Sequence, residues 1–156
     1  MGLNFIDFAR DPNIVTMTSA AMYCYDAAVC VKFGVHFHLY AKTIMNLGTE
    51  KHLAFLERAK TMDDIGSFAL TELGHGSNVR NLLTTAIFDR VKGCFILNTP
   101  DDMAMKFWIG ATANLANMTA VFAQLYIDDK DYGVHAFLVE IRDKSDHMVK
   151  DVLIIY

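Results

Sequence analysis

Hydrophobic and polar positions follow a helical period over the first third of the chain. Between residues 16 and 47, apolar side chains recur at steps of three and four, which places them on one face of a helix. These positions are Met17, Cys24, Ala28, Val31, Val35 and Leu39. Gly34 inside the run predicts a bend or break, and Gly48 predicts its C-terminal cap. Thr49 then restarts the pattern as the N-cap of a second, shorter helix that ends near residues 62–64.

The period changes to that of strands after Ile65. Short apolar runs predict six strands, at residues 68–71, 84–90, 94–99, 104–109, 119–127 and 134–142. Residues 91–93 end in glycine and predict a hairpin, and the polar residues 128–131 predict a turn. The last two strands are apolar at nearly every position, which predicts burial on both faces or a barrel wall covered by helices.

The order of the elements, helices first and strands afterwards, predicts the α+β class. We expect a helical region over residues 1–64 and a small antiparallel β-domain, resembling a barrel or a sandwich, over residues 65–145. Residues 146–156 form a tail of uncertain form.

Composition agrees with a globular domain and excludes some functions. Of the 156 residues, 53% are hydrophobic and 21% are charged, and the net charge of −4 offers no basic surface for nucleic acid. Charged residues interrupt the apolar segment 17–35, so no membrane span is expected. The three cysteines are odd in number and lack metal-ligand spacing, so we expect buried, reduced thiols in a reducing compartment.

The main candidate chemistry lies in residues 71–77, which read Thr-Glu-Leu-Gly-His-Gly-Ser. Two glycines allow the backbone to approach a ligand closely, and adjacent N–H groups can form an anion-binding concavity. The hydroxyls of Thr71 and Ser77 add donors of fixed reach. From residue chemistry alone, an ordinary turn at a strand end remains the alternative. Glu72 is expected to hold the loop by accepting N–H bonds rather than to act as a general base.

A second candidate segment contains Trp108, the only tryptophan, followed by Ile109 and Gly110. The indole is either the neighbour of a planar cofactor or an aromatic core residue at a strand end. The histidines do not predict a metal site. His36 and His38 are two residues apart on a helical stretch, whereas helical ligands prefer spacings of three or four.

Residues 68–79 and 106–110, in this order, resemble the β-domain of the acyl-CoA oxidase branch of the acyl-CoA dehydrogenase superfamily. That branch typically reads Thr-Glu-Leu-Gly-His-Gly-Ser/Thr, which residues 71–77 match at every position. Dehydrogenases usually carry Pro and Ala where this chain has Leu73 and His75. Residues 44–50, 95–100 and 131–137 are similar as well, so the resemblance covers roughly residues 17–145.

The resemblance implies FAD as cofactor and fatty acyl-CoA as substrate, oxidised with O₂ as electron acceptor in β-oxidation. Thr71 matches a threonine that contacts the flavin, and Gly110 matches a glycine that contacts it from the other edge. Trp108 and Ile109 stand where relatives touch the isoalloxazine ring. Ser77 matches a position that contacts the CoA thioester in dehydrogenase relatives. Residues 65–145 would then form the flavin-binding wall.

The resemblance also implies what this sequence does not carry. Family members continue into a C-terminal helical region that brings the catalytic glutamate and much of the homodimer contact, whereas this sequence diverges after His147. We therefore expect a truncated form that lacks the catalytic base, binds FAD weakly and does not turn over alone. The alternatives are a catalytically inert isoform that acts as an interaction module, and an acyl-CoA dehydrogenase.

The expected location is the peroxisome, because this branch is typically peroxisomal. The C-terminus, Leu153-Ile154-Ile155-Tyr156, is not a Ser-Lys-Leu-type signal, so a cytoplasmic location is the alternative.

Overall fold

Helices form the first part of the computed structural model, which describes residues 11–143. Helix α1 spans Pro12–Tyr25 and α2 spans Ala27–Phe33, and a π-helix over Gly34–Ala41 continues into α3 over Lys42–Leu47. The single predicted helix is therefore broken at Asp26, whose carboxylate caps the N-terminus of α2. It changes to π geometry at Gly34, the position where the sequence predicted a bend.

The second predicted helix is confirmed. Gly48 ends α3 through a hydrogen bond from its N–H to the Ile44 carbonyl at 2.9 Å. Thr49 then caps a 3₁₀ turn over Glu50–His52, which leads into α4 over Leu53–Lys60.

A five-stranded sheet follows the helices. Its strands are β1 Gly66–Ala69, β2 Thr85–Asp89, β3 Cys94–Asn98, β4 Met118–Ile127 and β5 Lys130–Glu140. Strands β1 and β2 pair in parallel with β4, while β5 pairs with β4, and β3 with β2, in the antiparallel direction. The α+β class is confirmed, but the sheet is mixed rather than purely antiparallel, because long connections allow β4 to return parallel to β1 and β2.

Two strand predictions are wrong. At residues 104–109 the structure has no strand: a 3₁₀ turn over Asp102–Ala104, capped by the side chain of Asp101, is followed by an isolated bridge at Lys106. Burial on both faces holds for β4 but not for β5, which is exposed or half-buried throughout. Among the described strands β5 pairs only with β4, so it is an outer strand with one edge uncovered.

The core lies between the π-helix, α4 and the sheet. Its buried apolar side chains are Tyr40, Ala41, Ile44, Leu56, Ala59, Met118 and Ala120. Gly66 is required for this packing, since a Cβ at that position would lie 1.9 Å from Cδ1 of Tyr40.

The cysteines are not buried as predicted. Cys24 and Cys94 are exposed, Cys30 is half-buried, and all three are free. The reason is that every residue of α1 and α2 keeps some exposure and β3 lies at the outside of the sheet. No helix within residues 11–143 is long and apolar enough to cross a membrane. The predicted tail at residues 146–156 lies outside the described residues, and the domain boundaries stay a prediction.

Candidate functional site

Two loop segments lie side by side at the end of β1. The backbone N–H of Phe107 donates to the Thr71 carbonyl at 3.0 Å, and that of Leu73 donates to Met105 at 2.8 Å. The residues between these contacts, Glu72 and Lys106, face each other as an antiparallel bridge. The two stretches that the sequence singled out are therefore neighbours, although 34 residues separate Glu72 from Lys106 along the chain. We call residues 71–74 and 103–107 the paired loops.

Glu72 lies buried at the centre of the paired loops. One carboxylate oxygen accepts from the Leu83 N–H at 2.8 Å, and the other accepts from the Thr84 N–H and hydroxyl at 2.9 and 2.6 Å. That second oxygen also accepts from Nζ of Lys106 at 3.0 Å. The predicted role of Glu72 as an acceptor of N–H bonds is confirmed by these contacts.

The electrostatics of Glu72 and Lys106 favour an ion pair. Burial alone would raise the pKa of Glu72, but the hydrogen bonds from Leu83, Thr84 and Lys106 together hold it below its ordinary value. Burial lowers the pKa of Lys106, and the contact with Glu72 opposes that change. Because Glu72 accepts four hydrogen bonds and is closed off from solvent, it offers no free oxygen to a substrate.

Trp108 stands out as an uncovered aromatic side chain next to the paired loops. Its indole is 86% exposed, which excludes the alternative of a core aromatic residue. Its backbone has a φ of 61°, a left-handed conformation that is unusual for a bulky residue. Covering a side chain of this size is worth about 2–3 kcal/mol, so an exposed indole held in strained backbone is a surface suited to a flat ligand.

Gly110 lies against the π-helix. A Cβ built on Gly110 would be 3.4 Å from a methyl group of Val35, so the segment that contains Trp108 and Ile109 packs against the π-helix at Gly110. On the other loop, a Cβ on Gly76 would be 3.6 Å from the methyl group of Thr71, which places the glycine next to Ser77 close to Thr71. The structure thus brings Thr71 to the segment that leads into Trp108; the contacts of all five residues with a ligand stay predictions.

An apolar cleft of about 470 Å³ lies beside residues 71–77. Its lining residues are Leu47, Leu70, Val79, Phe122, Val134, His135 and Ala136. The sequence analysis missed this cleft because its walls come from α3, β4, β5 and two loops, and no local pattern links them. Within residues 11–143 no group of three or more His, Cys, Asp or Glu side chains could hold a metal ion.

Comparisons with known proteins identify relatives of this arrangement. No family model matches the chain. The "Acyl-coenzyme A oxidase 3, peroxisomal" of Arabidopsis thaliana is 42% identical over 131 residues, which cover 83% of this chain and 19% of that relative.

Solved structures agree with the sequence match. The crystal structure of acyl-CoA oxidase 3 from Yarrowia lipolytica superimposes with a TM-score of 0.83 at 38% identity, covering 94% of this chain and 22% of that one. Acyl-CoA oxidase-2 of Caenorhabditis elegans, bound with FAD, ascaroside-CoA and ATP, gives a TM-score of 0.74 at 29% identity over 96% of this chain and 25% of its own.

The fold is of the α+β class, and the matched relatives are acyl-CoA oxidases. More narrowly, the chain belongs to the acyl-CoA oxidase family. It spans about a fifth of the length of the curated relatives that it matches.

Proposed function

We propose that this chain forms the flavin-facing wall of an FAD-dependent acyl-CoA oxidase. The observation that carries the proposal is the hydrogen bond from Phe107 to Thr71, which makes the exposed Trp108 a neighbour of the glycine-containing loop at residues 71–77. A relative with a TM-score of 0.74 is bound with FAD, and this chain has a flat, uncovered indole in the corresponding fold.

Each residue of the wall has a distinct part in this proposal. Trp108 supplies an aromatic plane against which a planar ring packs, and Ile109 extends that apolar contact. Thr71 supplies a hydroxyl donor, and Gly110 lets its segment pack closely against Val35 of the π-helix, so that the backbone forms the second edge of the wall. FAD held by these residues would supply the acceptor for the substrate's hydride and the route of its electrons to O₂.

The proposed substrate is a fatty acyl-CoA. Ser77 is exposed and follows Gly76, which lies close to Thr71, and its hydroxyl would contact the thioester. The apolar cleft adjoins the same loop through Leu70 and Val79 and suits an apolar part of the substrate. A homodimeric assembly and a peroxisomal location are proposed for the whole protein, since the Arabidopsis relative is named peroxisomal.

We also propose that the 156-residue chain does not turn over by itself. Oxidation of an acyl-CoA needs a carboxylate that removes the α-proton. Glu72 is the carboxylate of the paired loops, and its oxygens are taken up by Leu83, Thr84 and Lys106. The other glutamates of the described range belong to elements outside the paired loops: Glu50 to the 3₁₀ turn before α4, Glu57 to α4 and Glu140 to the outer strand β5.

The test is a flavin titration of the 156-residue chain. FAD fluorescence anisotropy should rise saturably, and Trp108→Ala should weaken binding about 3- to 10-fold, because an aromatic contact is worth about 1 kcal/mol. Tyr132→Ala, which removes an exposed aromatic residue of β5, is the matched control and should leave the affinity unchanged.

Equal affinity of the Trp108→Ala variant and the parent chain would refute the flavin wall. Peroxide release from a mixture of the chain, FAD and an acyl-CoA would refute the second proposal, that the chain alone is inactive.

A further inference from the structure

The paired loops are joined by few backbone contacts. Three backbone hydrogen bonds connect them directly: from Phe107 to Thr71, from Leu73 to Met105 and from Gly74 to Met103. Neither loop belongs to a strand of the sheet, so the ladder that fixes β1 and β4 does not extend to them. Something else has to determine how the segment that leads into Trp108 is oriented.

Lys106 makes that connection with its side chain. Its Nζ lies 3.0 Å from the Glu72 carboxylate and 3.1 Å from the Leu70 carbonyl, so one ammonium group holds a residue of the first loop and the residue just before that loop. Glu72 in turn accepts from the N–H groups of Leu83 and Thr84, just before β2. The pair therefore ties three separate stretches of chain together, two residues before Trp108.

Stability alone does not account for this pair. Replacing a buried ion pair by packed apolar residues is often neutral or stabilising, because desolvation offsets much of the attraction between the charges. What an ion pair with several hydrogen bonds adds is a defined geometry. Here the ion pair lies two residues before Trp108, in the segment that carries the indole.

We propose that Glu72 and Lys106 form a positioning pair, which fixes the spacing of the paired loops and thereby the orientation of Trp108. Its consequence for flavin binding rests on the function proposed above. Lys106 acts through the backbone that carries Trp108 and through the Leu70 carbonyl, which precedes Thr71.

The experiment measures the order of Trp108 in the folded 156-residue chain. Since Trp108 is the only tryptophan, the decay of its fluorescence anisotropy reports this segment with or without a flavin. Lys106→Met should increase the fast, local component of the decay at temperatures far below unfolding, and Lys106→Arg should restore most of the order. Lys92→Met is the matched control, because Lys92 is exposed on the hairpin between β2 and β3.

The second readout is FAD affinity. Lys106→Met should weaken binding by no more than the 3- to 10-fold expected for Trp108→Ala, because it acts through the orientation of that side chain, and Lys106→Arg should weaken it less. If Lys106→Met does not fold by circular dichroism, Glu72→Gln removes the charge with little change of shape and should loosen Trp108 in the same way.

The outcomes separate this proposal from the preceding one. Lower thermal stability with unchanged order of Trp108 in both variants would overturn the positioning pair and leave a structural role only. If the parent chain fails to bind FAD but Lys106→Met still loosens Trp108, the flavin wall fails and the positioning pair stands.

Discussion

Two buried polar side chains, His36 and Glu72, join parts of the molecule in different ways. His36 lies on the π-helix, where Nδ1 accepts from the Gly66 N–H and Nε2 donates to the Ala59 carbonyl, both at 2.9 Å. It connects the helices to the first strand with a neutral ring that gives one hydrogen bond and receives one. Glu72 connects loops, and its charge is matched by four donors.

The difference shows which contacts stabilise the fold and which contacts fix the geometry of the site. His36 is surrounded by helices, a strand and the apolar core. Apolar packing therefore provides most of the stability there, and a neutral side chain is enough to join the two parts. Around Glu72 the chain forms isolated bridges and no ladder, so the loops are held by a charge and its donors. The predictions below test whether stability and site geometry divide between these two regions.

The largest effect is expected for Glu72→Ala. The change leaves Lys106 buried without its partner and removes the acceptor for the N–H groups of Leu83 and Thr84, which should lower the free energy of unfolding by about 3–5 kcal/mol. Urea denaturation followed by circular dichroism measures the loss. Glu57→Ala, which removes an exposed glutamate paired with Lys60, is the control and should cost far less.

A somewhat smaller loss is expected for Gly66→Ala in the His36 region. The added methyl group would overlap the buried ring of Tyr40, and relief of that overlap should cost about 2–3 kcal/mol. The folded fraction should keep the anisotropy of Trp108, because the paired loops are not involved. Gly133→Ala is the comparison for backbone strain. A Cβ at Gly133 would meet no atom within 4 Å, but the residue has a φ of +78°, so its loss reports strain without steric overlap. Equal losses in the two variants would contradict the overlap.

The smallest effect is the pH dependence contributed by His36. Burial lowers the pKa of His36, and the Ala59 carbonyl and Asp64 only partly oppose it, so the ring is neutral in the folded chain. The unfolded chain binds a proton below its ordinary pKa of about 6.5, so this contribution is complete above that pH and decreases as the pH falls toward the lowered folded pKa.

The matching measurement compares the parent chain with His36→Gln between pH 7.5 and about 5. The parent should lose stability more steeply on acidification, by no more than about 1.4 kcal/mol per pH unit for one proton. Parallel curves for the parent and His36→Gln would show that His36 does not contribute.

The sequence predicted features that depend on neighbouring residues. The caps at Gly48 and Thr49 and the hairpin of β2 and β3 follow from local chemistry, and the structure contains them. Near Gly34 the helix changes to π geometry instead of breaking, and the break lies at Asp26. The role of Glu72 as an acceptor was also predictable, because a carboxylate inside a glycine-containing loop has backbone N–H groups around it.

Features that depend on distant pairing were missed. Nothing local shows that β1 and β2 run parallel to β4, since that direction is set by the connections between them. Apolar residues at 104–109 predicted a strand, but the Asp101 cap turns the chain and Lys106 pairs with a loop instead. The apolar cleft needs five elements to close around it, so its residues are recognisable only in the fold.

The π-helix over Gly34–Ala41 has a consequence for how this sequence can change. Its wider turns stack the rings of His36 and Tyr40, whose centroids are 6.0 Å apart, and bring Val35 behind Gly110. Deleting one residue within it would let the backbone return to α geometry, which would remove the wider turns that set the spacing of His36, Tyr40 and Val35. Insertions and deletions should therefore be tolerated in the turn after β4 but not in these eight residues.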